Sequence, residues 1–150
     1  MKVCIGGTFN ILHKGHKFLI DKAFKTAGKN GFVFIGVTAG IMIKKKKNVK
    51  SLKERIKSLN EYLTSKGYKK NAEIKPIYDK YGVALEEEYD AIIVSPETLK
   101  TAELINKKRI SEKKKPLIIK KISYVLAEDK KPISSTRILN KEINEKGQVC

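Results

Sequence analysis

Val3-Cys4-Ile5-Gly6-Gly7-Thr8-Phe9-Asn10-Ile11-Leu12-His13-Lys14-Gly15-His16 is the stretch on which the fold turns. Val3-Cys4-Ile5 is a short apolar run stopped by paired glycines, which predicts a buried first strand. From about Lys14 to Ala27, Phe18, Leu19, Ala23, Phe24 and Ala27 recur at helical spacing, and Gly28 supplies a stop. A buried strand that passes through a glycine loop into a helix is the opening of a βαβ unit.

The rest of the chain continues the alternation. Phe32 to Val37 predicts strand two, and Gly40 to Lys50 a lysine-dense loop. Ser51 is a good N-cap for a helix carrying Leu52, Ile56, Leu59, Tyr62 and Leu63, stopped near Gly67. Ala72 to Tyr78 predicts strand three, and Ala91 to Val94 a wholly apolar strand four. Pro96 starts a helix through Ala102, Leu104 and Ile105. Leu117 to Val125 predicts strand five, and Ser134 or Ser135 caps a last helix through Ile138 and Ile143. Strands alternating with helices predict an α/β fold: a Rossmann-like, doubly wound, five-stranded parallel sheet. The 150 residues carry no repeat, linker or low-complexity break, so one domain spanning 1–150 is expected.

Composition narrows the function. No run of about 18 apolar residues suggests a membrane span, and the apolar start is too short for a secretory signal. The two cysteines, Cys4 and Cys150, have no metal-ligand spacing and no disulfide framework. A cytoplasmic protein without a membrane partner is the expectation. The net charge of +17 admits two readings: a nucleic-acid binder, or a lysine-rich surface around a site for small phosphorylated ligands. Thirty of the 33 basic residues are lysines spread along the chain, with arginine only at Arg55, Arg109 and Arg137. That scarcity of bidentate donors argues against nucleic acid as a partner.

In parallel α/β folds, ligands bind beyond the carboxyl ends of the strands. Both histidines lie in such a place, His13 and His16, at positions that share one helical face. With Gly7 allowing close backbone approach, Thr8 adding a hydroxyl and a helix N-terminus behind them, they suit a phosphate. Capping or packing of one or both imidazoles is the bland alternative. Neither a Walker lysine motif nor the GxGxxG fingerprint is present, and no third ligand cluster points to a metal site. Ser134-Ser135-Thr136-Arg137 is the second place: three hydroxyls and a guanidinium at a helix start suit a polyphosphate tail, or serve as a plain capping cluster.

Gly7-Thr8-Phe9, His13-Lys14-Gly15-His16 and Ile133-Ser134-Ser135-Thr136, in this order, resemble the HxGH and ISSTxxR signatures of the nucleotidyltransferase superfamily. Within it the chain is most similar to the archaeal-type phosphopantetheine adenylyltransferase family and to the matching domain of eukaryotic CoA synthase. Thr38, Arg55, Ser95-Pro96-Glu97-Thr98, Asn106, Arg109 and Ala127-Glu128-Asp129 sit where that family carries similar residues. The resemblance implies transfer of the adenylyl group of ATP to 4′-phosphopantetheine, giving dephospho-CoA and pyrophosphate, with Mg²⁺ held mainly by the ATP phosphates. It implies that Thr8, Phe9, Asn10 and Arg109 serve the substrates. His13 and His16 would stabilise the α-phosphate, and Gly7, Thr8, Ser134, Ser135, Thr136 and Arg137 would hold ATP. One lysine of the Lys44–Lys47 run would bridge the two phosphates, with Lys44 or Lys46 favoured. Asn10 stands where the family usually has Asp, and Leu139 where many relatives have a basic residue. FMN and nicotinamide mononucleotide adenylyltransferases and cytidylyltransferases are rivals of the same chemistry. A basic nucleic-acid-binding module is the rival of another class. A monomer or dimer is expected.

Overall fold

Val3, Cys4 and Ile5 occupy the middle of β1 (Lys2–Gly7), all three buried, because helices or loops cover both faces of this strand. The computed structural model describes residues 1–44, 46, 48–86 and 88–150. The chain continues through α1 (Lys14–Ala27), β2 (Phe32–Thr38), α2 (Leu52–Lys66), β3 (Ala72–Ile77), β4 (Ala91–Val94), α3 (Leu99–Ser111), β5 (Ile118–Lys121) and α4 (Ser135–Leu139). The strands form one five-stranded sheet in the order β3-β2-β1-β4-β5, every neighbouring pair parallel. The doubly wound Rossmann-like sheet expected from the sequence is therefore present.

Alternate residues along the strands sort the core into two layers. Val3, Ile5, Val33, Ile35 and Ile93 pack against Leu19, Ile20 and Ala23 of α1 and Leu59 and Leu63 of α2. Cys4, Phe34, Ile92 and Val94 face the other way, onto Ala102 and Ile105 of α3 and onto Ala84 and Tyr89. Ser51 caps α2 by accepting from Glu54 N at 3.2 Å, and Gly67 ends it in the left-handed region at φ 73°. Among the described residues no helix is long and apolar enough to cross a membrane.

Three expectations need correction. Strand five ends at Lys121 rather than Val125, because β4 offers only four residues to pair with it. The last helix ends at Leu139, where the chain turns through Lys141 at φ 59°, and Ile143 instead packs with Ala127 and Ile133. The third helix starts at Leu99, three residues past Pro96. The connection from β3 to β4 also carries no helix among its described residues. It must cross beneath β2 and β1, a span of roughly 14 Å at the usual strand spacing. Turns seeded by Asp79 Oδ1, which accepts from Tyr81 N and Gly82 N, carry it there.

Leu59 is fully buried against the sheet. Leu59→Ala is expected to cost about 2–5 kcal/mol in urea unfolding. A loss under ~1 kcal/mol would contradict this packing.

Candidate active site

The carboxyl ends of β1, β2 and β4 open onto a cavity of about 880 Å³, lined by Gly7, Thr8, His13, His16, Lys46, Ser134, Ser135 and Thr136 among others. Two segments 124 residues apart meet at its rim, where Ser135 Oγ lies 3.4 Å from Ile11 N and 3.5 Å from Ile11 O. The structure thus brings the histidine loop and the hydroxyl triplet together.

The loop after β1 is shaped by its side chains. Phe9 takes φ 50°, a left-handed conformation costly for an aromatic residue, and buries its ring to 1% exposure. A Cβ on Gly7 would stand 3.1 Å from Phe9 Cε2, tighter than ordinary contact, so the ring packs closely on the glycine. His13 is the N-cap of α1: its Nδ1 accepts from Gly15 N at 3.0 Å and His16 N at 3.4 Å. A Cβ on Gly15 would lie 2.9 Å from His13 Cε1, which explains the glycine between the histidines. His16 Nδ1 in turn accepts from His13 N at 3.4 Å, completing a reciprocal cap.

Both Nδ1 atoms are acceptors, so each neutral ring carries its proton on Nε2. The rings stack at 3.8 Å and 18°, with Phe9 tilted against His16 at 5.1 Å. Burial pushes His13 down to about 4. Burial, then the nearby His13, pushes His16 down to about 3, against a backbone hydrogen bond with Ile11 that raises it. At neutral pH the pocket is therefore lined by two uncharged imidazoles.

Thr8 is the junction on the other side. Its Oγ1 accepts from Lys46 Nζ at 2.6 Å and from Thr38 Oγ1 at 2.9 Å, leaving its own proton to donate. Lys46 lines the cavity, whereas Lys44 is not among the described lining residues; Lys45 and Lys47 lie outside the described residues. Ser134 Oγ accepts from Arg137 N at 3.2 Å and keeps its proton. Thr136 lines the cavity beside it. Glu97 is the one carboxylate among the described lining residues.

Two arginines are not where the sequence placed them. Arg109, 1% exposed, does not line the cavity: its Nε donates to Lys115 O, and its Nη1 to Ala84 O and Glu86 O. A guanidinium inside the protein must satisfy its donors locally, and backbone carbonyls do so here. Arg137 turns away from the cavity to pair with Asp129 and Glu142 and to donate to Pro132 O at 3.0 Å. Asn10 lines the cavity, but its amide is already engaged, donating to Asn48 O and accepting from Lys50 N. The sequence reading named Thr38 only as a family-like residue without a role and did not name Tyr81, although Thr38 ends β2 and Tyr81 follows β3, which is the available signal.

The histidine pair makes folding sensitive to acid. Neutral in the folded chain and protonated in the unfolded one, each imidazole stabilises fully above its usual value of 6.5. That contribution is lost as pH falls through the window from about 6.5 to about 4 and about 3. Urea midpoints are expected to fall across this window, and His16→Asn is expected to flatten part of the fall. An unchanged acid limb in His16→Asn would contradict a buried neutral His16.

Residues 4–141 match the family model described as cytidylyltransferase-like. The chain is 46% identical over 149 residues to the phosphopantetheine adenylyltransferase of Methanosarcina mazei, covering 99% of this chain and 96% of that protein. It is 41% identical over 150 residues to the protein of the same name from Archaeoglobus fulgidus, covering 99% of both. Among solved structures, an Archaeoglobus fulgidus protein described as of unknown function superposes with a TM-score of 0.74 at 34% identity, over 89% of this chain and 100% of that one. The chain belongs to the cytidylyltransferase-like nucleotidyltransferases, in the family of the archaeal phosphopantetheine adenylyltransferases.

Proposed function

We propose that this chain transfers the adenylyl group of ATP to 4′-phosphopantetheine, producing dephospho-CoA and pyrophosphate. The observation that carries the reading is the meeting of Lys46 and Thr8 in the same cavity as the His13–His16 pair and the Ser134–Thr136 hydroxyls. An oxygen of the acceptor phosphate attacks the α-phosphorus, the bond to the bridging oxygen breaks, and pyrophosphate leaves with the electron pair. The nucleophile is already anionic near neutral pH, so no general base is needed. Positioning and charge stabilisation supply the catalysis.

In this reading Thr8 orients the acceptor phosphate, and Lys46 bridges it to the α-phosphate. The Nε2 protons of His16 and His13 face the charge that grows on the α-phosphate and on the leaving oxygen. Removed from water, these donors need no reorganisation as that charge develops. Ser134, Ser135 and Thr136 face the β- and γ-phosphates. Phe34, Ile77, Tyr81, Val83, Ile92 and Ile105 form an apolar wall on the α3 side that suits the pantetheine arm. With few carboxylates and several hydroxyls in that lining, Mg²⁺ fits best as a passenger on ATP, bound by phosphate oxygens and water, where it offsets phosphate charge. We place the reaction in the cytoplasm, with a monomer or dimer as the working unit.

The test is pyrophosphate release with ATP or CTP against a panel of acceptor phosphates: 4′-phosphopantetheine, FMN and nicotinamide mononucleotide. Turnover is expected with ATP and 4′-phosphopantetheine. Turnover only with another pair would reassign the chain within its superfamily. His16→Ala and Lys46→Met are each expected to lower kcat at least ~100-fold, the usual loss for one transition-state donor. Normal turnover in either variant would remove that residue from the site.

A further inference from the structure

We infer that Asn10 and Arg55 form a clamp on the backbone of Lys50, and that this clamp aims Lys46 across the cavity at Thr8. The inference rests on the adenylyl-transfer reading and adds two positioning residues to it. The Lys50 N–H donates to Asn10 Oδ1 at 2.7 Å, and the Lys50 carbonyl accepts from Arg55 Nε at 2.9 Å. Asn10 Nδ2 also donates to Asn48 O at 2.9 Å, fixing the chain where Asn48 takes φ 57°. The returning leg of the lysine loop is therefore held at three backbone groups.

The same arginine holds the outgoing leg. Arg55 Nη1 donates to Thr38 O at 2.7 Å and to Thr8 O at 3.1 Å, while Ala39 N donates to Ile77 O at 2.9 Å. Both feet of the 39–50 loop are thus tied to the strand ends and to Thr8. Between them Lys46 reaches back, and its Nζ meets Thr8 Oγ1 at 2.6 Å. The loop needs such feet, because it leaves β2 through a solvated turn: Ile41 is 78% exposed. A lysine on an untied loop would have to lose both loop and side-chain freedom to reach the phosphates.

The residue types follow from the geometry. Asn10 must donate to one carbonyl and accept from one N–H, which an amide does and a carboxylate does not. Arg55 must reach three carbonyls from one buried position, which a planar guanidinium does and an ammonium does not. Arg55 does not line the cavity and both ends of the Asn10 amide are committed, so each acts through the loop.

A double-mutant cycle on kcat tests the clamp. Asn10→Ala is expected to lower kcat roughly tenfold to a hundredfold, the range for a catalytic group misplaced by about 1 Å. KM for ATP should stay within about twofold. In the Lys46→Met background the same substitution should cost less than about twofold, because nothing is left to aim. Arg55→Lys should also lower kcat, with part of the loss persisting in the Lys46→Met background because Arg55 holds the Thr8 carbonyl as well. If Arg55→Lys fails to fold, the Asn10 arms decide. A full loss persisting in the Lys46→Met background would overturn the inference. Amide hydrogen exchange gives an arm independent of activity. Asn10→Ala should remove protection at Lys50 N–H, and unchanged protection there would also overturn the clamp. Wild-type protein that releases no pyrophosphate would strike the reaction assignment, while loss of Lys50 protection in Asn10→Ala would still support the clamp.

Discussion

Arg55 is fully buried, and no carboxylate among the described residues answers its charge. Its donors go to three main-chain carbonyls, while Nη2 is buried without an acceptor in the described structure. Those carbonyls belong to the residue after β1, the last residue of β2 and the segment leading into α2. A parallel sheet leaves its strand ends as separate loops, and nothing in the ladder itself holds one loop against the next. The guanidinium supplies that link. A buried cation is expensive, so it persists where its geometry is needed.

The other two arginines repeat the device. Arg109 ties the connection between β3 and β4 to the segment before β5. Arg137 ties the residues before α4 to the turn after it. Each sits beside one wall of the cavity without lining it. The scarce arginines thus hold the loops, and lysine dominates the solvated surface, where its excess charge attracts phosphorylated ligands over a distance. The cavity lining itself is then left without an arginine among the described residues, and carries the stacked imidazoles, the Thr8 hydroxyl and Lys46.

Much of this could be read from the sequence, and the divide is physical. The strand, glycine loop and helix at residues 3–27 announce themselves because apolar period and chain punctuation are local. Gly15 and the two histidines are legible for the same reason: the cap they form spans four residues. The parallel order of the sheet follows from alternation. The roles of Arg109 and Arg137 were not legible. A guanidinium suits carbonyls and phosphates equally, and only burial, a tertiary property, decides between them. Ile122 and Val125 continue the apolar pattern of a strand, yet the sheet stops at Lys121 because its neighbour β4 has run out. Favouring Lys46 over Lys44 needed the path of the loop, whose returning leg at Lys50 is held by Asn10 and Arg55 from 40 and 5 residues away in sequence.

The central claim is that residues 8–16 and 134–136 act on one triphosphate. Amide hydrogen exchange with and without a non-hydrolysable ATP analogue tests it most directly. The account predicts that protection rises together at Gly15, His16 and Thr136, while α2 is unchanged. Protection gained at only one of the two segments would show that they do not share a ligand, and would contradict it.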